Sequence, residues 1–388
     1  MKPILTVQYL RAVAAILVVI YHHNNAIRES FGPVMPGFHV GAFGVDIFFV
    51  ISGFIMWTIS TARPTKPGGF MKRRIIRIAP VYWVFTLIAA FISTDGGLRI
   101  GFDPEIGTFL NSLFFIPDWN PKYPEMVAPI LVVGWTLNLE MMFYVLFSGA
   151  LFLPQRLRLG ALLAVLAVMG TARLWIDYAG NPAISLYSQS IVLEFGFGAL
   201  LGWAYMNGLE RRIGGRHGWK IALALFSAAL AALVMRESMT ESRALHWGVP
   251  ALLIVAGGLF LEPYARSRPS RSLKFLGDAS YSIYLSHLMA LALSQKFIGA
   301  ALGASAPYLA LALETLFAIG FGAVAYLLIE RPATEAARRL WAGDLKGALE
   351  AATGFNTLSR TAARLGSMGK TARPARADSQ VTVSGETE

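Results

Sequence analysis

The chain has no cysteine among its 388 residues, which excludes a disulfide framework, a thiolate nucleophile and any Cys-based metal site. Charge is scarce too, at 15% of residues, and acids are the scarcer sign, with 23 Asp and Glu against 34 Lys and Arg. Only six histidines are present. Two or three soluble domains, which the length alone would suggest, do not fit so little charge.

Apolar residues fill the space. They make up 55% of the chain, with a mean hydropathy of +0.53, and they fall in blocks of about twenty, the length that crosses a hydrocarbon core. Read in order, the blocks predict an all-α polytopic integral membrane protein with about ten spans, at 6–24, 40–60, 76–94, 130–153, 158–177, 184–206, 218–235, 246–262, 279–300 and 307–329. The first block reads as a retained span rather than a signal peptide, because Arg11 lies inside it and no A-x-A site closes it.

The net charge of +11 is distributed by loop. With the N-terminus inside, the loops on that side and the tail carry 26 Lys and Arg against six in the opposite loops. The positive-inside rule therefore predicts both termini in the cytoplasm. No single basic face is formed, so the expected partner of these charges is membrane lipid and not nucleic acid. Residues 1–335 are expected to form the membrane domain and 336–388 a cytoplasmic tail. Within it, 333–351 fits a short amphipathic helix, and 355–388, rich in Ser, Thr, Gly, Arg and Ala, reads as disordered. The segment 95–129, with an apolar piece at 109–116, reads either as a re-entrant or interfacial lid or as an ordinary ordered loop.

Polar residues inside the spans need a reason to be there. Arg11 and His22 are eleven residues apart, about three helical turns, and so share one face of the first span. His22 and His23 close that span at its outer end, and Asp46 enters the second span from the same side. A carboxylate beside an imidazole orients it and raises its basicity, as a general base requires. The alternative is that the two histidines are interfacial and Asp46 caps a helix.

At the other side of the bilayer, Lys72-Arg73-Arg74 and Arg77 lie at the mouth of the third span. Arg74 and Arg77, three apart on a helix, form a two-guanidinium clamp suited to phosphate or pyrophosphate, or else a lipid anchor. Span four carries Trp135, Asn138, Glu140 and Tyr144, with Glu140 near mid-membrane and Tyr144 one turn further on the same face. Span nine carries Ser280, Tyr284 and His287 as a polar stripe that fits substrate contact or interhelical hydrogen bonding equally. Glu194 and Glu314 read as packing partners. Stacked by depth, these groups make a polar column from Arg74 and Arg77 through Arg11, His287 and Glu140 to Asp46 and His22. Such a column suits an enzyme whose two substrates arrive from opposite faces, or a transporter or flippase of lipid-linked glycan.

Taken together, six segments in order resemble the bacterial membrane acyltransferase-3 family. They are Arg11 to His22, Gly-Val-Asp-Ile-Phe-Phe-Val-Ile-Ser-Gly-Phe from Gly44, Arg-Ile-Ile-Arg-Ile-Ala-Pro from Arg74, Trp-Thr-Leu-Asn-Leu-Glu-Met-Met-Phe-Tyr from Trp135, Ser-Tyr-Ser-Ile-Tyr-Leu-Ser-His from Ser280, and Ile-Glu-Arg-Pro from Ile329. Lacking an appended SGNH hydrolase domain, the chain is most similar to exopolysaccharide-production O-acetyltransferases.

The resemblance implies O-acylation of an exopolysaccharide or lipid-linked saccharide at the bacterial inner membrane, alongside polysaccharide biosynthesis and export machinery. It implies acetyl-CoA or another acyl-CoA as cytoplasmic donor substrate, and no metal. It implies that His22 is the essential histidine and Arg11 its buried partner, with Arg74 and Arg77, and Arg73 beside them, holding the coenzyme A phosphates. Asp46 and Glu140 are then expected to orient His22, which acts as general base or acyl relay, while Tyr284, His287, Tyr144 and Trp135 contact substrate. The inverted halves and matched helix breaks common in transporters are not visible in this chain.

Overall fold

The structure, a computed structural model, describes residues 3–93, 99, 100, 105–178, 180–209, 217–234 and 242–352. The tail expected to be disordered, 355–388, lies outside these residues. By its internal contacts the chain divides into two compact units, Met1–Thr334 and Glu335–Glu388.

The first unit is built of helices. In chain order they are α1 (Leu5–Phe31), α2 (Gly44–Ala62), α3 (Pro67–Phe91), α4 (Ile106–Leu113), α5 (Trp135–Ala150), α6 (Gln155–Thr171), α7 (Pro182–Tyr187), α8 (Leu193–Met206), α9 (Gly218–Val234), α10 (Val249–Phe260), α11 (Glu262–Ser267), α12 (Arg271–Ser294) and α13 (Pro307–Ala325). Extended pairing among the described residues is confined to a two-residue antiparallel ladder, Ile92–Ser93 with Arg99–Ile100, and one bridge between Trp119 and Val127.

Seven described helices are long and apolar enough to cross a membrane, the last two extended beyond α12 and α13 to Leu302 and Trp341. Three shorter apolar helices, Ser190–Met206, Gly218–Val234 and Ala244–Phe260, fall where the other expected spans were read. The expected count of ten thus becomes seven full-length helices and three short ones. The amphipathic helix expected over 333–351 is two helices, Arg331–Trp341 and Leu345–Ala352, parted by Gly343 in left-handed backbone at φ 84°. The apolar piece in the long loop is α4, fastened where Tyr82 donates to the carbonyl of Ser112 at 2.9 Å and Ser112 Oγ accepts from the amide of Ile130 at 3.0 Å.

Close backbone approach sets the bundle. A Cβ on Gly53 of α2 would lie 2.0 Å from the Phe195 carbonyl oxygen, and one on Gly198 of α8 the same distance from that of Val50. Only two glycines facing each other let these helices touch backbone to backbone, the packing that substitutes for hydrophobic drive inside lipid. Gly53→Ala is accordingly expected to cost about 1–3 kcal/mol by overpacking, read as a lowered melting temperature in detergent. Gly68→Ala, with nothing within 4 Å of the added methyl, is expected to leave it unchanged.

The start of α1 is fixed by a carboxylate. Glu262 of α11 accepts from the amides of Leu5 at 3.0 Å and Thr6 at 2.9 Å, two of the donors a helix N-terminus leaves unpaired, and is itself paired with Arg266 at 2.8 Å. A little higher, a Cβ on Gly277 of α12 would meet the Gln8 carbonyl at 2.1 Å. This contact brings α1 and α12 together so that they run parallel from Gln8 beside Gly277 to His22 beside His287.

Candidate active site

With the end at which α1 begins taken as the bottom, a cavity of about 280 Å³ lies between α1, α2, α3, α5 and α12. Its depth is given by the helices that wall it: α2 contributes from Val45 at the top to Met56, and α5 from Thr136 at the top to Tyr144, the latter a rise of about 12 Å. Three guanidinium groups line it, Arg11 from α1 and Arg74 and Arg77 from α3.

These cations are not equivalent. Arg77 Nη1 donates to Glu330 Oε1 at 2.7 Å, and Glu330, only 1% exposed, also accepts from Ser282 Oγ at 2.7 Å and the Ser282 amide at 3.2 Å. Its charge is therefore compensated by the protein. Arg74 lies over the rings of Phe70 and Tyr144, at 5.8 and 5.9 Å, and neither it nor Arg11 makes a hydrogen bond or ion pair with a described residue. The expected clamp of Arg74 with Arg77 is present in space, but the guanidinium groups on the cavity that have no hydrogen-bonded carboxylate among the described residues are those of Arg11 and Arg74. Arg73 points elsewhere: it is exposed and donates to Thr65 Oγ1 at 3.0 Å.

Glu140 lies in the wall midway along α5. Its Oε1 accepts from Tyr144 at 2.5 Å and from Ser52 Oγ at 3.0 Å, so it faces the cavity near the arginines and makes no hydrogen bond to His22. Above it, Tyr284 donates to the Val133 carbonyl at 3.1 Å and lies 3.0 Å from Thr136 Oγ1. Trp135, half-buried against the apolar core, does not line the cavity.

Immediately above Tyr284 are the two histidines. His287 Nδ1 is 2.5 Å from the carbonyl of Tyr284, and its Nε2 is 3.2 Å from His22 Nδ1, which is also 2.9 Å from the carbonyl of Val18. Carbonyl oxygens only accept, so in the neutral pair each Nδ1 carries the proton. Nε2 of His287 is then an acceptor for His22, and Nε2 of His22 is left with an unshared lone pair. His23 lies on the buried side of α1, its Nδ1 2.9 Å from the Val19 carbonyl.

Asp46 is also differently employed than the sequence suggested. It is fully buried and receives Arg243 side-on, Nε to Oδ1 and Nη2 to Oδ2, both at 2.9 Å. Glu194, fully buried as well, adjoins both. His22 therefore has His287 as its side-chain hydrogen-bond partner and makes no hydrogen bond to Asp46 or Glu140, which are engaged with Arg243 and with Tyr144 and Ser52. Sequence reasoning counted Arg243 only as a loop charge and gave Ser52, Thr136 and Glu330 no role. All three of the latter lie inside the motif segments, Ser52 in the one from Gly44, Thr136 in the one from Trp135 and Glu330 in the closing Ile-Glu-Arg-Pro, and that was their visible signal.

A family model described as an acyltransferase domain, acyltransferase-3, matches residues 4–330. The chain is 37% identical over 317 residues, 79% of its length and 94% of the relative's, to the exopolysaccharide production protein ExoZ of Rhizobium meliloti. It is 25% identical to the acyltransferase MdmB of Streptomyces mycarofaciens, over 76% of this chain and 81% of that one. To the putative peptidoglycan O-acetyltransferase YrhL of Bacillus subtilis it is 24% identical, over 74% of this chain and 48% of the relative. No solved structure matches it. The chain is a multi-pass membrane acyltransferase and belongs to the acyltransferase-3 family.

Proposed function

We propose that the protein transfers an acyl group, acetyl in the first instance, from acyl-CoA to a hydroxyl of an exopolysaccharide or of its lipid-linked precursor, with His22 as general base. The observation that carries this reading is a cavity that has the guanidinium groups of Arg11 and Arg74 at its lower end and ends at Tyr284, directly beneath His287 and His22. An anionic donor suits the first feature, and a thioester threaded along the cavity would present its carbonyl near the second. The saccharide acceptor is favoured by relatives named for exopolysaccharide production and peptidoglycan O-acetylation. The loop charges favour a bacterial inner membrane with both termini cytoplasmic, so that the donor enters from the cytoplasm and the acceptor from the other face.

In this mechanism His22 Nε2 takes the proton from the acceptor hydroxyl as its oxygen bonds to the acyl carbon. His287 accepts the Nδ1 proton's hydrogen bond and supports the imidazolium that forms. Collapse of the tetrahedral intermediate breaks the carbon–sulfur bond, and the thiolate recovers the proton from His22. The protein in liposomes, given radiolabelled acetyl-CoA and glycan from cells lacking this chain, should place label on the glycan in alkali-labile ester linkage. Failure to label, with the folded protein present, would overturn the reading.

The donor assignment is testable separately. Arg74→Ala is expected to raise the KM for acetyl-CoA about tenfold, the effect of losing one charge-assisted contact, with kcat and melting temperature little changed. Arg77→Ala is expected to raise KM and also lower stability, because it strands the buried Glu330 carboxylate. An unchanged KM in both would make these residues a lipid anchor.

A further inference from the structure

The cavity ends in two hydroxyls that compete for one acceptor. Thr136 Oγ1 lies 3.0 Å from the Val133 carbonyl and Tyr284 OH 3.1 Å from the same oxygen, while the hydroxyls are 3.0 Å from each other. Both residues line the cavity and are nearly buried. Two protons serve three contacts, so either hydroxyl alone can satisfy the carbonyl and the other is free to turn. The Tyr284 ring stands 5.7 Å from that of His287, which stands 4.8 Å from that of His22.

We propose that Thr136 and Tyr284 form the oxyanion site of the transfer reaction, a catalytic role for Thr136 and a sharper one for Tyr284. The inference rests on the acyl-transfer reading above. As the acceptor oxygen bonds to the acyl carbon, the carbonyl electron pair moves onto its oxygen, and one hydroxyl of the pair donates a hydrogen bond to that oxyanion without giving up its proton. The other holds the Val133 carbonyl. When the carbon–sulfur bond breaks, the electron pair returns to the carbonyl, and the hydroxyl returns to its neighbour. Such a site lies against an aromatic wall made by Phe48 and Tyr284, whose rings meet edge-on at 6.0 Å, and a preset donor in such surroundings stabilises charge more than it would in water.

Thr136→Val keeps the shape, and Tyr284 still satisfies Val133, so the fold has no reason to change. Thr136→Val is expected to lower kcat about 10²-fold, the usual effect of removing one oxyanion donor, with the KM for acetyl-CoA and the melting temperature unchanged. Thr136→Ser should restore most of kcat, and Tyr284→Phe should behave like Thr136→Val. Wild-type kcat in either Thr136→Val or Tyr284→Phe would overturn the proposal, as would a loss that tracks only the amount of folded protein. His22→Ala in the same preparation separates the two ideas. If it is inactive while Thr136→Val keeps full kcat, the oxyanion pair alone fails. If it retains full transfer, the base assignment fails, and the Thr136→Val result still decides for or against the pair.

Discussion

His22→Ala is expected to lower acyl transfer about 10³-fold per mole of folded protein, in the middle of the range that a positioned general base supplies. Little stability should be lost with it. His22 is only partly buried, and its hydrogen bonds are to the carbonyl of Val18, which is already inside a helix, and to His287. His23→Ala is the informative contrast. That side chain is fully buried and is hydrogen-bonded to the Val19 carbonyl rather than to His287, so its removal should cost stability and leave the rate per folded molecule intact. Measuring ester formation from labelled acetyl-CoA against the folded fraction separates the two. An active His22→Ala with an inactive His23→Ala would reassign the base.

The His22–His287 contact adds a dependence that a lone histidine would not have. His287 is held by the carbonyl of Tyr284, so its Nε2 must accept, and that acceptance keeps the proton of His22 on Nδ1. Under the proposed mechanism His287 is a positioning residue, and the same helix turn that places Tyr284 at the top of the cavity also sets the tautomer of His22. This coupling explains why the Ser280 to His287 stripe runs along one face of α12. Ser280 and Tyr284 line the cavity while His287, one turn higher, is sealed from it.

Hydropathy placed the seven long apolar helices and the three shorter ones but misjudged their ends, because it senses lipid-length stretches and not where backbone hydrogen bonding continues. The third span was read from residue 76, whereas α3 begins at Pro67 and carries Lys72, Arg73 and Arg74 in regular helix below the apolar stretch. The helical face shared by Arg11 and His22 needed only the pitch of a helix, and both residues lie where that face predicts, one on the cavity and one above it. Pairings were another matter. Asp46 and Arg243 are 197 residues apart, and Arg77 and Glu330 are 253 apart, so neither partner is visible from local spacing. Depth alone put Asp46 beside His22, since two groups at one level in a bilayer can still face different helices. The turn at Gln295–Gly299 that extends α12 has no periodic signature in an apolar run and was equally invisible.

Arg243→Ala is expected to be strongly destabilising, at about 3 kcal/mol, near the low end for breaking a buried pair because Arg243 is 35% exposed. The reason is what it leaves behind. Asp46 and Glu194, both fully buried in the first turns of α2 and α8, would face each other with no cation between them. Asp46→Asn alone should cost less, since Glu194 remains to pair with Arg243. Asp46→Asn combined with Arg243→Met should recover part of the loss, a non-additivity that marks a direct pair. Thermal unfolding in detergent and the yield of folded protein read all three. A wild-type melting temperature for Arg243→Ala would mean that the pair contributes no stability. Asp46 would then have to be explained by chemistry rather than by the fold, and its loss would be expected to lower kcat without touching the melting temperature. The bidentate geometry argues for a loss of stability, because both Asp46 oxygens accept from one guanidinium and the carboxylate makes no hydrogen bond to an imidazole among the described residues.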